Sequence, residues 1–212
     1  MRPIPLIVLA TALALIFVPA RNGAGGIAPP AGPADHPDSG AELIGRPAPE
    51  WSFTRWVRGH ERTLRDVRGK VVLVRWWTEG CHFCRTTLPA IEALQREHPG
   101  DLVVLGVFHP KPEPRDVSDR HILRVARELG FSGPIAFDRD WHALDRYWLG
   151  GHPERSWTSV SFLIDREGVI RWVHGGGEYH PSNDPRHRAC DLEYQGLEKA
   201  LAEVLEEPAP RP

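Results

Sequence analysis

Residues 70–84 read Lys-Val-Val-Leu-Val-Arg-Trp-Trp-Thr-Glu-Gly-Cys-His-Phe-Cys. The apolar part predicts a β-strand that is buried on both faces, as in a parallel or mixed sheet. A tight turn then delivers Cys81, and a helix-forming stretch follows Cys84. Cys81 is therefore expected near a helix N-terminus, where unpaired N–H groups and the helix dipole favour a thiolate over a thiol. The stretch predicts thiol–disulfide exchange.

The composition indicates one domain of ordinary size. The chain has 212 residues, of which 41% are hydrophobic and 25% charged. Its formal net charge is −2 and its arginines are scattered, so we expect no nucleic-acid partner. The three cysteines are too few for a disulfide scaffold, and their odd number leaves Cys190 outside the Cys81/Cys84 pair.

Residues 1–20 are predicted to be a signal peptide or a short membrane anchor. Arg2 precedes an apolar run from Ile4 to Val18, and a small-residue cleavage site follows it. The run is shorter than the ~20 residues that span a bilayer, which favours cleavage over a permanent tether. Either outcome predicts a periplasmic or otherwise extracytoplasmic protein, secreted or tethered. An exported cysteine pair stays oxidised there or needs a supply of electrons.

Composition divides the rest of the chain into three parts. Residues 21–42 are rich in Gly, Ala and Pro, which predicts a flexible linker. Residues 43–207 form the predicted domain. Residues 208–212 are a proline-rich tail.

Patterning within the domain predicts an α/β fold with a central mixed β-sheet flanked by helices. An N-terminal β-hairpin is predicted from Trp51 through the turn at Arg58-Gly59 to Leu64. Apolar runs predict strands over 71–77, 102–108 and 135–137, and a second hairpin over 160–174. Helical periodicity predicts helices over 84–97, 122–129 and 141–148, and a final helix with Asp191 as its N-cap.

The residues around the cysteine pair resemble a known family. Gly69 to Val74, followed by Trp77, Cys81, Cys84, Arg85 and Pro89, is similar to thioredoxin-like proteins of the TlpA type. Residues 102–107 and 162–168 follow the same pattern in order, and residues 171–179 resemble the thioredoxin-like domains of DipZ-type membrane electron carriers. The resemblance covers about residues 43–207. It implies a thioredoxin-like fold and an exported or membrane-tethered thiol–disulfide oxidoreductase.

Three positions depart from the family pattern. Glu79-Gly80 replaces the usual small-Trp lead-in to the first cysteine, and Thr87 replaces a glutamate that is a candidate proton acceptor. The family's cis-proline that faces the disulfide corresponds best to Ser159. A cis bond before a residue other than proline costs roughly 2.5–4 kcal/mol, so we expect a trans bond here. This loop would then meet a substrate backbone differently.

The two paired cysteines receive different roles. Cys81 comes first and lies nearer the helix N-terminus, so it is predicted to be the attacking nucleophile. Cys84, one turn later, is predicted to be the resolving thiol. A structural disulfide and half of a zinc site are the alternatives, but a four-cysteine zinc site needs a second pair that the chain lacks.

Four neighbours are candidates for tuning or positioning this pair. The imidazolium of His82 would favour a thiolate, whereas the carboxylate of Glu79 would oppose it or relay protons. Trp77 is expected to pack against the pair and limit access of water. Thr78 has the threonine spacing of peroxiredoxins, in which the hydroxyl helps to position a peroxide, but Val74 occupies the position of their proline.

The leading hypothesis is exchange with disulfides of exported client proteins, as a reductant supplied by a membrane electron donor. A peroxiredoxin-like hydroperoxide reductase is one alternative. A copper chaperone that uses Cys81 and Cys84 with His109 or His174 is another. Cys190 lies near His174, His180 and His187, which would suit copper or zinc, but isolated surface histidines are commoner. We assign no metal site and expect no cofactor.

Overall fold

A computed structural model describes residues 40–208, and a six-stranded mixed sheet organises them. Its strands are β1 (Arg55–Arg58), β2 (Val71–Trp77), β3 (Leu102–Phe108), β4 (Ile135–Phe137), β5 (Ser161–Ile164) and β6 (Ile170–His174). Their order across the sheet is β1-β4-β3-β2-β5-β6. Strands β2, β3 and β4 run parallel, and β1, β5 and β6 pair antiparallel with their neighbours. The predicted fold class is confirmed.

The helices are α1 (Cys84–Glu97), α2 (Asp119–Glu128), α3 (His142–Leu144) and α4 (Arg188–Glu206). A π-helical turn, Asp145–Leu149, continues α3, and a 3₁₀ turn, Pro185–His187, precedes α4. Ser118 caps α2 by accepting a hydrogen bond from the His121 N–H. These helices cover the sheet on both faces, because the core divides into two buried clusters.

Strand β2 lies at the centre and all seven of its residues are buried. Val71, Leu73 and Trp77 face the cluster that α1 and α4 complete, whereas Val72 and Trp76 face the opposite cluster. A strand with helices on both sides needs apolar residues at every position, which explains its unbroken hydrophobic run. Burial holds the end of β2 firmly, and the cysteine turn starts there.

The predicted N-terminal hairpin is wrong. β1 pairs antiparallel with β4, and residues 59–64 form no strand in the described chain. The Arg55 guanidinium lies 4.4 Å from the centroid of the Phe137 ring, and its Nη2 donates to the Val117 carbonyl. Arg58 donates to the carbonyls of Gly133 and Phe131. These contacts hold β1 at the exposed edge of β4, which needs a partner for its backbone groups.

The predicted N-cap of the final helix is also wrong. α4 begins at Arg188, so Asp191 lies within its first turn. The preceding 3₁₀ turn is capped by Asp184, whose carboxylate accepts the Arg186 N–H. Asp191 instead accepts the backbone N–H of Ser182 at 3.0 Å and helps to fold the preceding loop back on the helix.

Residues 40–43 contact the core of the domain. A Cβ atom on Gly40 would lie 2.7 Å from Val173 and 2.8 Å from Trp148. The Arg155 side chain, which is buried against the Trp148 ring at 3.9 Å, pairs with Glu42. The segment therefore contacts the loop that leads into β5.

The predicted export segment and most of the linker and tail lie outside the described residues. Within residues 40–208, none of the helices combines the length and the apolar character that crossing a membrane requires.

Candidate redox site

The cysteine pair lies on the turn between β2 and α1, where Cys81 and Cys84 form a disulfide with their Cα atoms 5.3 Å apart. Gly80 has φ +69°, a conformation that glycine adopts at little cost, and it turns the chain after β2. Cys84 is the first residue of α1 and is fully buried, whereas Cys81 is partly exposed. Only the first sulfur is therefore open to approach by a partner.

The Ser159 hydroxyl lies within hydrogen-bond distance of both sulfurs. Its Oγ lies 3.4 Å from the Cys81 Sγ and 3.9 Å from the Cys84 Sγ. Because disulfide sulfurs carry no hydrogen, the serine hydroxyl is the donor. The cis peptide bond found in residues 40–208 joins Lys111 to Pro112, so the bond before Ser159 is trans.

His109 holds the residue that precedes Ser159. Its Nε2 lies 2.9 Å from the Thr158 Oγ1, and its backbone N–H donates to the Trp77 carbonyl. Burial lowers the pKa of His109 to about 3, so the ring is neutral at physiological pH. The histidine at the end of β3 thus links the end of β2 to the serine loop.

Trp77 and Thr78 are buried at the end of β2. The Trp77 ring packs edge-on against Phe108 at 5.0 Å and belongs to the same core cluster as Cys84. The Thr78 Oγ1 is buried without a hydrogen-bond partner among the described atoms.

Glu79 and His82 are less closely tied to the sulfurs. The Glu79 carboxylate binds Arg115 and the His121 Nε2, the latter at 2.7 Å. His82 is exposed, and its ring packs edge-on against Phe83 at 6.0 Å. Within the described chain, neither side chain has a hydrogen bond to Cys81 or Cys84.

Arg75 is a buried cation that the sequence analysis missed. Its Nη1 donates to the Ser161 Oγ at 3.3 Å and its Nη2 to the Gly177 carbonyl at 2.7 Å. No carboxylate pairs with it in the part of the chain that the structure describes. Burial lowers the pKa of Arg75 to about 10, which leaves it charged at neutral pH. The signal was a charged residue inside an otherwise apolar strand.

Thr87 occupies the position of the family's glutamate and has a structural contact. It is buried one turn after Cys84, and its Oγ1 accepts the Tyr179 N–H at 3.1 Å. The Tyr179 hydroxyl lies 2.7 Å from the Ser161 Oγ, and its ring lies 5.5 Å from the Arg75 guanidinium. The Thr87 hydroxyl thus holds the backbone of Tyr179, whose side chain lies beside the buried Arg75 and Ser161.

Two aromatic rings lie beside the cysteine turn. Phe83, between the two cysteines, is 5.6 Å from Trp157, which is 42% exposed. A Cβ atom on Gly176 would lie 2.3 Å from the Trp157 Cβ, so the absence of a side chain there lets the tryptophan rest on the loop. An exposed tryptophan beside a half-buried phenylalanine, next to a reactive sulfur, is suited to contact a polypeptide.

A copper site that includes the cysteine pair finds no support in residues 40–208. The metal-ligating side chains that lie close together in these residues are Glu178, His180, His187 and Cys190. This group contains neither Cys81 nor Cys84. His174 is buried, with its ring against Trp172 and Tyr179.

Comparison with known proteins agrees with this geometry. The AhpC/TSA family model matches residues 44–173. Thioredoxin-like protein YneN of Bacillus subtilis is 30% identical over 132 residues, which cover 62% of this chain and 71% of YneN. Thiol-disulfide oxidoreductase ResA of Geobacillus kaustophilus is 27% identical over 139 residues, which cover 64% of this chain and 71% of ResA.

A solved structure supports the same fold. A thiol-disulfide isomerase from Corynebacterium glutamicum superposes with a TM-score of 0.56 at 21% identity, over 76% of this chain and 98% of that one. The thioredoxin-like resemblance inferred from the sequence is confirmed. Because the family match covers more than half of the chain, the protein belongs to the AhpC/TSA family, among its thioredoxin-like thiol–disulfide oxidoreductases.

Proposed function

We propose that this protein reduces disulfides of exported partner proteins through the Cys81/Cys84 pair. The observation that carries the proposal is the asymmetry of the two sulfurs: Cys81 is accessible and Cys84 is fully buried beside it. A partner disulfide can meet the first sulfur but not the second. The second sulfur is held where it can attack the first.

The reaction has two exchange steps. The Cys81 thiolate attacks one sulfur of the partner disulfide; a mixed disulfide forms and the other partner sulfur leaves as a thiolate. The Cys84 thiolate then attacks the Cys81 sulfur, closes the Cys81–Cys84 bond and releases the second partner sulfur. The partner gains two electrons and two protons, and the protein is left oxidised. A dithiol donor must reduce it again before the next cycle.

Three groups support a thiolate at Cys81. α1 begins at Cys84, so the positive end of its dipole lies beside the pair, and the Ser159 hydroxyl lies within hydrogen-bond distance of the Cys81 sulfur. Arg75 adds a buried positive charge that is joined to the Ser159 loop through Ser161. Glu79 would oppose the thiolate, but its charge is offset by Arg115 and His121.

Phe83 and Trp157 form the surface proposed to receive the partner's polypeptide. Exposed aromatic residues at the edge of a reactive site often supply much of the binding energy. We expect Trp157→Ala to raise KM for a protein disulfide about tenfold while leaving the reduction of a small disulfide unchanged. Leu192→Ala, which changes an exposed apolar residue on α4, is the matched control. Equal losses with both substrates would contradict this role.

The proposed location of the reaction rests on the predicted export segment, residues 1–20, and its proposed direction is to be tested by the reduction potential. An exported protein that reduces others needs electrons from inside the cell, so we propose a membrane thiol carrier as its donor. Equilibration of Cys81–Cys84 with a dithiol buffer measures the reduction potential. A value near ~−270 mV supports the reductant role, and a value near ~−120 mV would make the protein an oxidant.

Hydroperoxide reduction is a second candidate, and one observation favours it. Thr78, three residues before Cys81, has a buried hydroxyl without a hydrogen-bond partner among the described atoms. Peroxide consumption by the full chain and by Cys84→Ser separates the two activities. Exchange requires both cysteines, whereas a peroxidase would turn over with a peroxide and an external thiol when only Cys81 remains.

A further inference from the structure

We propose that Glu178, His180, His187 and Cys190 form a binding site for one divalent cation of the zinc class. These four residues, the Cys190 cluster, lie in the loop after β6 and in the first turn of α4. Each offers one ligand atom, and the four atoms lie within 4.8 Å of one another. The cluster is separate from the disulfide and is not used in the exchange reaction.

The distances inside the cluster are close to those of a tetrahedral site. The Cys190 Sγ lies 3.6 Å from the Glu178 Oε1 and 3.8 Å from the His187 Nδ1. The His187 Nδ1 lies 3.6 Å from the same carboxylate oxygen. Zinc bonds of about 2.0–2.3 Å place tetrahedral ligands roughly 3.3–3.6 Å apart. The His180 Nε2 is farther away, 4.0 Å from the Glu178 Oε2. Coordination by all four residues would therefore need the His180 ring to move inward by up to about an ångström.

Other contacts prepare individual ligand atoms. The His180 Nδ1 lies 3.1 Å from the Pro181 carbonyl, which fixes the proton on that nitrogen because a carbonyl can only accept. The lone pair is then on Nε2, which is buried and has no hydrogen-bond partner in the described structure. The second carboxylate oxygen of Glu178 accepts the Thr86 hydroxyl at 2.9 Å. These are the outer contacts that orient metal ligands in known sites.

The donor types select the ion. One thiolate, one carboxylate and two neutral imidazoles carry two negative charges, which a divalent cation neutralises. Sulfur and nitrogen donors in a four-ligand set suit Zn²⁺, whereas Ca²⁺ and Mg²⁺ require oxygen ligands. Cu⁺ prefers thiolate and imidazole without a carboxylate and would leave a net charge.

A bound cation would connect three parts of the domain. His187 and Cys190 lie at the start of α4, and Glu178 and His180 lie on the loop after β6. Glu178 also contacts Thr86 in the first turn of α1, two residues after Cys84. The site would therefore hold this loop against both helices.

Titration of the full chain with Co²⁺ and Zn²⁺, with the Cys81–Cys84 disulfide intact, tests the proposal. We expect one equivalent of Co²⁺ to bind with a thiolate-to-cobalt absorption band in the near ultraviolet, and one equivalent of Zn²⁺ to displace it. Cys190→Ser should remove the band. His187→Ala should weaken Zn²⁺ binding more than about a hundredfold, since loss of an outer contact alone costs about 10–100-fold.

Variants elsewhere separate this site from the redox pair. The double variant Cys81→Ser/Cys84→Ser should keep the cobalt band and the Zn²⁺ affinity. His60 is exposed and distant in sequence from the Cys190 cluster, so His60→Ala should bind metal as the wild type does. Thr86→Ala should weaken binding about tenfold and Thr86→Ser should restore it. The proposal is overturned if the wild type binds no Zn²⁺ at micromolar concentration. It is equally overturned if binding survives Cys190→Ser and disappears with the redox cysteines.

Discussion

The two cysteine regions of this protein begin helices in the same way but differ in their neighbours. Cys84 is the first residue of α1, and Cys190 lies in the first turn of α4. The Cys81–Cys84 pair has a hydroxyl from Ser159 and core side chains around it. Cys190 has a carboxylate and an imidazole within 4 Å.

The different neighbours suit the Cys81–Cys84 pair to thiol–disulfide exchange and Cys190 to cation binding. A hydroxyl donor and a buried cation stabilise a negative sulfur without occupying it, so the sulfur stays available to a partner disulfide. A carboxylate and imidazoles are acceptors, and they leave an anionic sulfur in need of a positive charge. Both cysteine regions lie at a helix N-terminus, and the surrounding side chains determine how each sulfur is used.

The largest expected effect comes from replacing each cysteine in turn. Cys81→Ser should reduce protein disulfide reduction to the background rate, because the remaining sulfur of the pair, Cys84, is buried and cannot reach a partner disulfide. Cys84→Ser should accumulate a mixed disulfide with the substrate. Both are measured by reduction of a protein disulfide and by mass spectrometry of the trapped species.

Cys190→Ser is the matched control, and it should keep the rate within about twofold. If Cys190→Ser loses exchange activity, or if Cys84→Ser traps nothing and stays fully active, the division between the two cysteine regions is wrong.

The second effect concerns the buried His174 in contrast to the less buried histidines of the Cys190 cluster. Burial, with a contribution from Arg75, lowers the pKa of His174 to about 3, whereas an unfolded histidine titrates near ~6.5. The unfolded chain therefore binds the extra proton first as the pH falls. The free energy of unfolding is therefore unaffected by His174 above pH ~6.5 and falls as the pH drops from ~6.5 to ~3. At pH 5 the loss is about 2 kcal/mol.

Urea unfolding at pH 7.5 and pH 5 measures this loss. His174→Gln should flatten the pH dependence of the free energy of unfolding by about 2 kcal/mol. His60→Gln, at an exposed position, should leave it unchanged. An unaltered pH dependence in His174→Gln would show that His174 is not held neutral.

The third effect concerns the buried cation on the redox side of the comparison. Arg75→Met should slow alkylation of reduced Cys81 at pH 7 about tenfold, because loss of a nearby positive charge lowers the thiolate fraction. Arg75→Lys should keep most of the rate. The measurement is the rate of iodoacetamide modification in a Cys190→Ser background, so that only the redox pair reacts. Equal alkylation rates for Arg75→Met and Arg75→Lys would show that the charge of Arg75 does not stabilise the Cys81 thiolate.

The smallest effect is expected at Ser159. Ser159→Ala removes one hydrogen bond to the Cys81 sulfur, which is worth about 1 kcal/mol, so alkylation of Cys81 at pH 7 should slow about fivefold. Ser159→Thr keeps the hydroxyl and should react nearly as the wild type does. Zn²⁺ binding by the Cys190 cluster should be the same in both. A change in metal affinity would show that the two regions are not independent.

The sequence predicted those parts of the fold that depend on short, continuous patterns. The strands over 71–77 and 102–108 and the helix over 84–97 appear with the predicted bounds, because central strands are apolar throughout and α1 has a buried stripe. The N-terminal hairpin failed because the partner of β1 is distant in sequence. The sequence of residues 51–64 does not indicate that Arg55 and Arg58 hold β1 beside β4.

The same distinction applies to the sites. Cys81 and Cys84 lie within one turn, so their spacing alone indicates a disulfide. Ser159 was placed opposite them through the family resemblance, not through local pattern. Arg75 escaped notice because its partner, Gly177, is distant in sequence. Glu178 escaped notice because only the fold of the loop between β6 and α4 brings it beside Cys190.

The pairing of Glu42 with Arg155 has a practical meaning for anyone who shortens this polypeptide. Arg155 is four residues before Ser159, and its guanidinium is buried with Glu42 as its carboxylate partner. A polypeptide that starts at residue 43 lacks Glu42. The buried Arg155 guanidinium would then have lost its carboxylate partner, which destabilises the fold. A fragment meant to retain native reactivity should accordingly start at Gly40 or earlier.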